Sequence, residues 1–131
     1  MFIADTDVLV DFLRGAGEAE RISAELKTGR LCVAAITAFE LWAGAKNPQQ
    51  LAMVESLIAA LVVLPLDHSS AKCAAEIHRN LSRAGTTIGM ADSLIAGIAL
   101  DRDAILITRN RKHYQRVPGL KLSGQYSKNY S

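Results

Sequence analysis

The chain has 131 residues, 50% of them hydrophobic and 21% charged, which suits one soluble globular domain and excludes disordered and fibrous classes. Its longest apolar run, residues 57–66, is well short of the ~20 residues needed to cross a bilayer. The formal net charge of +2 hides a division: residues 1–103 hold nine Lys or Arg and all 13 acids, whereas residues 104–131 hold six Lys or Arg and no acid.

In chain order, residues 2–4 (FIA) predict a short buried strand that ends on Asp5-Thr6-Asp7. Val8, Leu9, Phe12 and Leu13 then recur at helical spacing. Residues 18–28 predict a second helix with Ala19, Ile22 and Leu26 on one face, stopped at Gly29. Residues 31–36 (LCVAAI) read as a second strand, and a helix restarts over 37–45. Asn47-Pro48 predicts an N-cap followed by proline at the first helical position, with Leu51, Val54, Leu57, Ile58 and Leu61 as the apolar stripe.

VVLPL (62–66) predicts a third strand, and Asp67 or Ser69 caps a helix running to about residue 84, with Ala71, Ala74, Ile77, His78 and Leu81 along it. Gly85 ends it. After the loop TTIGM, ADSLIAGIAL (91–100) predicts a helix with Leu94, Ile95, Ile98 and Ala99 inward. AILIT (104–108) follows as a fourth strand and residues 119–122 as a short fifth. Apolar strands alternating with helices predict an α/β fold, a parallel sheet of four to five strands sandwiched between helices. One domain over residues 1–131 is expected, with its core at about 2–122 and a basic tail at 123–131.

No basic segment with an apolar region and cleavage site opens the chain, so a cytoplasmic protein is expected. Cys32 and Cys73 lie 41 positions apart without a CxxC or a neighbouring histidine, and are expected as buried free thiols. His68, His78 and His113 have no zinc-binding spacing, and no GxSxG or GxxxxGK[ST] is present. Trp42 is expected in core or interface packing.

In an open parallel sheet, functional groups gather beyond the carboxyl ends of the strands. Asp5 follows strand one, Glu40 sits a turn into the helix after strand two, Asp92 starts the helix before strand four, and Thr108 ends strand four. Three carboxylates would then share a small volume, where repulsion is costly unless a cation or protons intervene. Such oxygen ligands suit Mg²⁺ or Mn²⁺, and paired ions of that kind activate water and stabilise the leaving oxygen of a phosphodiester. The bland alternative is capping: Asp5 or Asp7 on the first helix, Glu40 through the Thr37-to-Glu40 capping-box spacing, and Asp92 at a helix dipole. The basic segment beside the acids favours a site for a polyanion over that reading.

IADTDVLVDFLRG, ITAFELWAGA, IGMADSLIAGIAL and ILITRNRKHYQRVPGLKL, in this order and spacing, resemble the PIN-domain ribonucleases, and most closely the VapC toxins of toxin-antitoxin modules. The resemblance implies a three-layer α/β/α Rossmann-like domain that cleaves RNA with Mg²⁺ or Mn²⁺ through carboxylates matching Asp5, Glu40 and Asp92. It also implies a homodimer and a VapB-type antitoxin whose C-terminal segment obstructs the site. Thr6, Thr108 and Asn110 take supporting roles, and Arg109, Arg111, Lys112 and Arg116 are expected to hold the RNA backbone.

Asp7 stands where many of these proteins carry Asn, and is a further candidate ligand. Many also carry a fourth acid after the TxN segment, near the position of His113 here. Two rival readings remain. A haloacid-dehalogenase-type phosphatase would use Asp5 as nucleophile and Asp7 as acid/base, but it needs a later acidic pair, and no acid follows Asp103. A PIN-like scaffold would bind RNA or protein without cutting.

Overall fold

The computed structural model describes residues 1–123; the remainder of the expected basic tail lies outside the described residues. The elements run β1 (Phe2–Ala4), α1 (Thr6–Leu13), α2 (Ala19–Lys27), β2 (Cys32–Ala34), α3 (Ala35–Gly44), α4 (Pro48–Ala59), β3 (Val62–Leu64), α5 (His68–Arg83), α6 (Met90–Asp101), β4 (Ile105–Ile107), α7 (Arg111–Tyr114) and β5 (Lys121–Leu122). All pairings are parallel, in the order β3-β2-β1-β4-β5.

Successive strand residues point to opposite faces of a sheet, and the core divides accordingly. Ile3, Cys32, Ala34 and Leu106 pack with Ile77, Leu81, Ile95, Ile98, Tyr114 and Val117 on the face covered by α5, α6 and α7. Ala4, Val33 and Ile107 pack with Val8, Leu9, Ile22, Leu41, Val54 and Leu57 on the face covered by α1 to α4. Both faces are therefore buried at β1, β2 and β4, as the unbroken apolar strands predict, and the three layers follow; β3, at the edge of the sheet, leaves Val62 and Val63 exposed.

Several local signals act as expected. Asn47 accepts from Gln50 N–H with Pro48 at the first helical position. Asp67 and Ser70 cap each other reciprocally at the start of α5. Gly29 and Gly85 close helices with φ of +71° and +72°, where a side chain is strained.

Other expectations need correction. The second strand stops at Ala34 and α3 begins at once, two residues before Thr37. The third strand stops before Pro65, which has no N–H to give the ladder. Leu51 is 43% exposed because it lies in the first turn of α4, ahead of the buried Val54, Leu57 and Ile58. Ala71 and His78 are exposed and Leu94 and Cys73 half-buried, and α5 and α6 meet where Gly97 faces Ala74, residues small enough for close approach. Trp42 is 42% exposed, which removes it from the core.

The α5–α6 contact is the tightest test of this packing. A Cβ built on Gly97 would lie 2.5 Å from Ala74 Cβ and 2.7 Å from Ala74 Cα, and backbone cannot give way cheaply. Gly97→Val should therefore lower unfolding stability by about 1–3 kcal/mol, read as a drop in the urea midpoint. A midpoint equal to wild type would mean that the helices are not this close.

Candidate carboxylate site

The sheet reverses its winding between β1 and β4, and a crevice opens at the carboxyl ends of strands at such a point. Asp5 leaves β1 there and Thr108 leaves β4, the strands being joined by the 2.9 Å bond from Asp5 N to Ile107 O. Asp5 is only 4% exposed, and its carboxylate is held by fixed donors. Oδ1 accepts from Thr6 N–H at 2.8 Å, and Oδ2 accepts from the buried Thr108 hydroxyl at 2.7 Å.

Asp92 joins from α6, at the third residue of that helix. The Tyr114 hydroxyl lies 3.1 Å from Asp92 Oδ1 and 3.4 Å from Asp5 Oδ1, so it links two acids that are 87 residues apart in sequence. His113 Nδ1 is 3.4 Å from Asp92 Oδ2 and 2.8 Å from Asn110 Nδ2. The His113 ring thus stands between Asn110 and Asp92.

Glu40 is placed differently. Its Oε1 accepts from the Thr6 hydroxyl at 2.6 Å, and Thr6 also lies 2.9 Å from the Thr37 hydroxyl. Glu40 is therefore anchored to the residue next to Asp5 rather than to Asp5 or Asp92. The capping-box reading fails, because α3 starts at Ala35 and puts Glu40 in its second turn, and the N-cap Ala34 has no side-chain bond. Asp92 accepts from tyrosine, and no side-chain cap is made at the start of α6. Asp5 does cap α1, but only through the adjacent Thr6 N–H.

Burial is the main force on the Asp5 carboxyl, pushing it up to about 7; Asp7 and Asp92 push the same way against the Thr108 and Thr6 donors. Asp7 is also raised by burial, opposed by the Arg109 backbone N–H and guanidinium. Burial first, and then the nearby carboxylates, push the Tyr114 phenol well above its ordinary range, so it stays a donor.

The basic residues are less uniform than their spacing suggests. Arg109 pairs with Asp11 at 2.7 Å and holds its backbone N–H 3.5 Å from Asp7. Arg111 donates to Ser123 O at 2.6 Å, and Asn110 N–H donates to Thr108 Oγ1 at 2.9 Å. Lys112 and Arg116 are exposed on and just after α7. Lys121 pairs with Asp103 at the first residue of β5, at the opposite edge of the sheet, and has no place in the crevice.

Among the described residues no three His, Cys, Asp or Glu side chains converge closely enough to hold a metal ion by themselves. The site thus offers a carboxylate pair, and such a pair fits Mg²⁺ or Mn²⁺, which commonly take one or two carboxylates and fill the remaining positions with water and substrate phosphate. Two participants escaped the sequence reading. One is Tyr114, whose spacing to the buried Val117 is a helical one, and the other is Asp11, the partner of Arg109.

With this geometry in place, comparison with known proteins gives the family. The PIN domain profile matches residues 2–120. The chain is 34% identical over 125 residues to the tRNA(fMet)-specific endonuclease VapC of Salmonella typhimurium, covering 92% of this chain and 95% of that protein. It is 31% identical to the protein of the same name from Shigella flexneri, covering 92% and 94%. Among solved structures, DNA-bound VapBC from Salmonella typhimurium superposes with a TM-score of 0.85 at 34% identity, over 93% of this chain and 96% of that one. VapBC-1 from nontypeable Haemophilus influenzae gives 0.81 at 28%, over the same shares. The chain belongs to the PIN-domain family, with VapC proteins as its relatives. PIN-domain VapC nucleases are divalent-metal dependent as a class. No helix among the described residues is long and apolar enough to cross a membrane.

The raised Asp5 carboxyl has a signed consequence for stability. Its folded value lies above the unfolded value of 3.8, so its contribution is fully present below about pH 4 and is lost as pH rises through about 7. In EDTA, Asp5→Asn should therefore gain on wild type as pH rises from 4 to 8, by an amount on the order of 2–4 kcal/mol at the upper end. Denaturant unfolding at both pH values checks this; a difference independent of pH would show that Asp5 carries no such burden.

Proposed function

We propose that this chain is a metal-dependent endoribonuclease, the toxin of a VapBC-type pair restrained by its VapB-type antitoxin. The observation that carries the reading is the joining of Asp5 and Asp92 at the β1–β4 crevice, in a chain 34% identical to a VapC endonuclease. Asp5 and Asp92 would hold Mg²⁺ or Mn²⁺, with Glu40 and Asp7 as flanking carboxylates. When bound, the cation supplies the charge that activates water and offsets charge developing on the scissile phosphate.

The chain's own residues do the rest. Thr6 N–H and Thr108 fix both oxygens of Asp5, Thr6 orients Glu40, and Asn110 ties the start of α7 to Thr108. Arg109 and Arg111 are already engaged with Asp11 and Ser123, so Lys112 and Arg116 are assigned the larger share of backbone binding. Two relatives are named as tRNA(fMet)-specific, which makes initiator tRNA the first substrate to try.

The antitoxin reading is supported by a groove lined by Val10, Leu13, Leu41, Met53 and Val54, with Glu40 at its wall. An apolar segment lying in it would pass beside Glu40. The exposed Phe39 and Trp42 on α3 supply apolar surface for the expected homodimer.

A cleavage assay on tRNA with Mg²⁺, Mn²⁺ or EDTA tests the proposal. Asp92→Asn should lose at least about 100-fold in rate while staying folded, and EDTA should abolish wild-type cleavage. Metal-independent RNA binding with no cleavage would instead favour the scaffold reading. In an Asp92→Asn background, the double change Lys112→Ala and Arg116→Ala should weaken binding to unrelated RNAs alike. The slope of log affinity against log salt should fall by about 1.4. An unchanged slope would remove these residues from the RNA path.

A further inference from the structure

Tyr114, the last residue of α7, is fully buried, and a phenylalanine would fill the same space in the core with Leu106 and Val117. A buried hydroxyl costs free energy unless it is hydrogen-bonded. This one faces two carboxylate oxygens, at 3.1 Å from Asp92 and 3.4 Å from Asp5. With one proton to give, it donates chiefly to the nearer Asp92 while holding Asp5 within reach.

The ring is enclosed on all sides, Tyr114 being fully buried, and the chain just before α7 is pinned where Asn110 N–H donates to Thr108 Oγ1. That same Thr108 hydroxyl donates to Asp5 Oδ2. Strand end, short helix and phenol thus close a ring of hydrogen bonds around the two acids. Thr108 and the Thr6 N–H fix Asp5 from its own side of the crevice, whereas Asp92 arrives from α6 and is held by the Tyr114 hydroxyl, whose oxygen lies 3.4 Å from Asp5 Oδ1.

We propose that Tyr114 is a positioning residue whose fixed hydroxyl keeps the Asp5 and Asp92 carboxylates convergent, so that the two together bind a divalent cation. This rests on the reading of Asp5 and Asp92 as cation ligands. Groups that orient metal ligands typically change metal affinity 10- to 100-fold when removed.

The test is calorimetric titration of Mn²⁺ into the full chain, comparing wild type with Tyr114→Phe, Asp92→Asn and Val117→Ala. Tyr114→Phe should stay folded, shown by far-UV circular dichroism and cooperative unfolding, and bind Mn²⁺ at least about tenfold more weakly. Val117→Ala, which loosens the same core without touching the acids, should bind as wild type does. Tyr114→Phe binding within twofold of wild type, or more tightly, would overturn the proposal. So would an equal weakening by Val117→Ala, because Tyr114 would then act only through stability. If wild type binds no Mn²⁺, or Asp92→Asn binds it unchanged, the cation-ligand reading falls and this proposal falls with it. A failure confined to Tyr114→Phe leaves that reading standing.

Discussion

Crowding of negative charge at the buried end of β1 is the constraint on which the rest depends. Asp5 is nearly inaccessible to water and is pressed by Asp7 and Asp92, so its ionised form is costly unless donors or a cation offset it. The surrounding structure supplies the donors, Thr6 N–H and the Thr108 hydroxyl, while the Tyr114 phenol donates to Asp92. Just outside, Arg109 meets Asp11 and leans on Asp7. Such an arrangement makes little sense as a stability device, since neutral residues at the same positions would fold at less cost. It does make sense as a binding site for positive charge.

Topology makes that crowding reproducible. The winding reversal between β1 and β4 puts Asp5 and Thr108 side by side although they are 103 residues apart, and Asp92 is brought to them in the first turn of α6, a helix packed closely on α5. The crevice is therefore built by the sheet and by one close helix pair, not by a flexible loop.

The layered fold was legible because the first four strands are short and apolar and two of the helices carry strong caps, Asn47 and Asp67. Asp5, Asp92 and Thr108 were legible because each stands at an element boundary, where position along the chain maps directly onto the sheet edge. Glu40 was legible as a residue but not in its role, since the capping-box spacing at Thr37 imitated a local function that the earlier start of α3 rules out. Tyr114 was hidden, because its partners lie 22 and 109 residues away and nothing local marks its ring for full burial. The stripes on α4 and α5 were read too widely, as periodicity shows which face turns inward but not where a helix runs past the edge of the sheet.

The central claim is that Asp5 and Asp92 form one cation site. Crystals of the chain soaked in Mn²⁺ and measured for anomalous scattering address it most directly. The account predicts a peak within direct coordination distance, about 2.0–2.3 Å, of oxygens from both Asp5 and Asp92. A peak held by Glu40 or Asp7 without that pair, or none in the crevice at a Mn²⁺ concentration that supports cleavage, would contradict it.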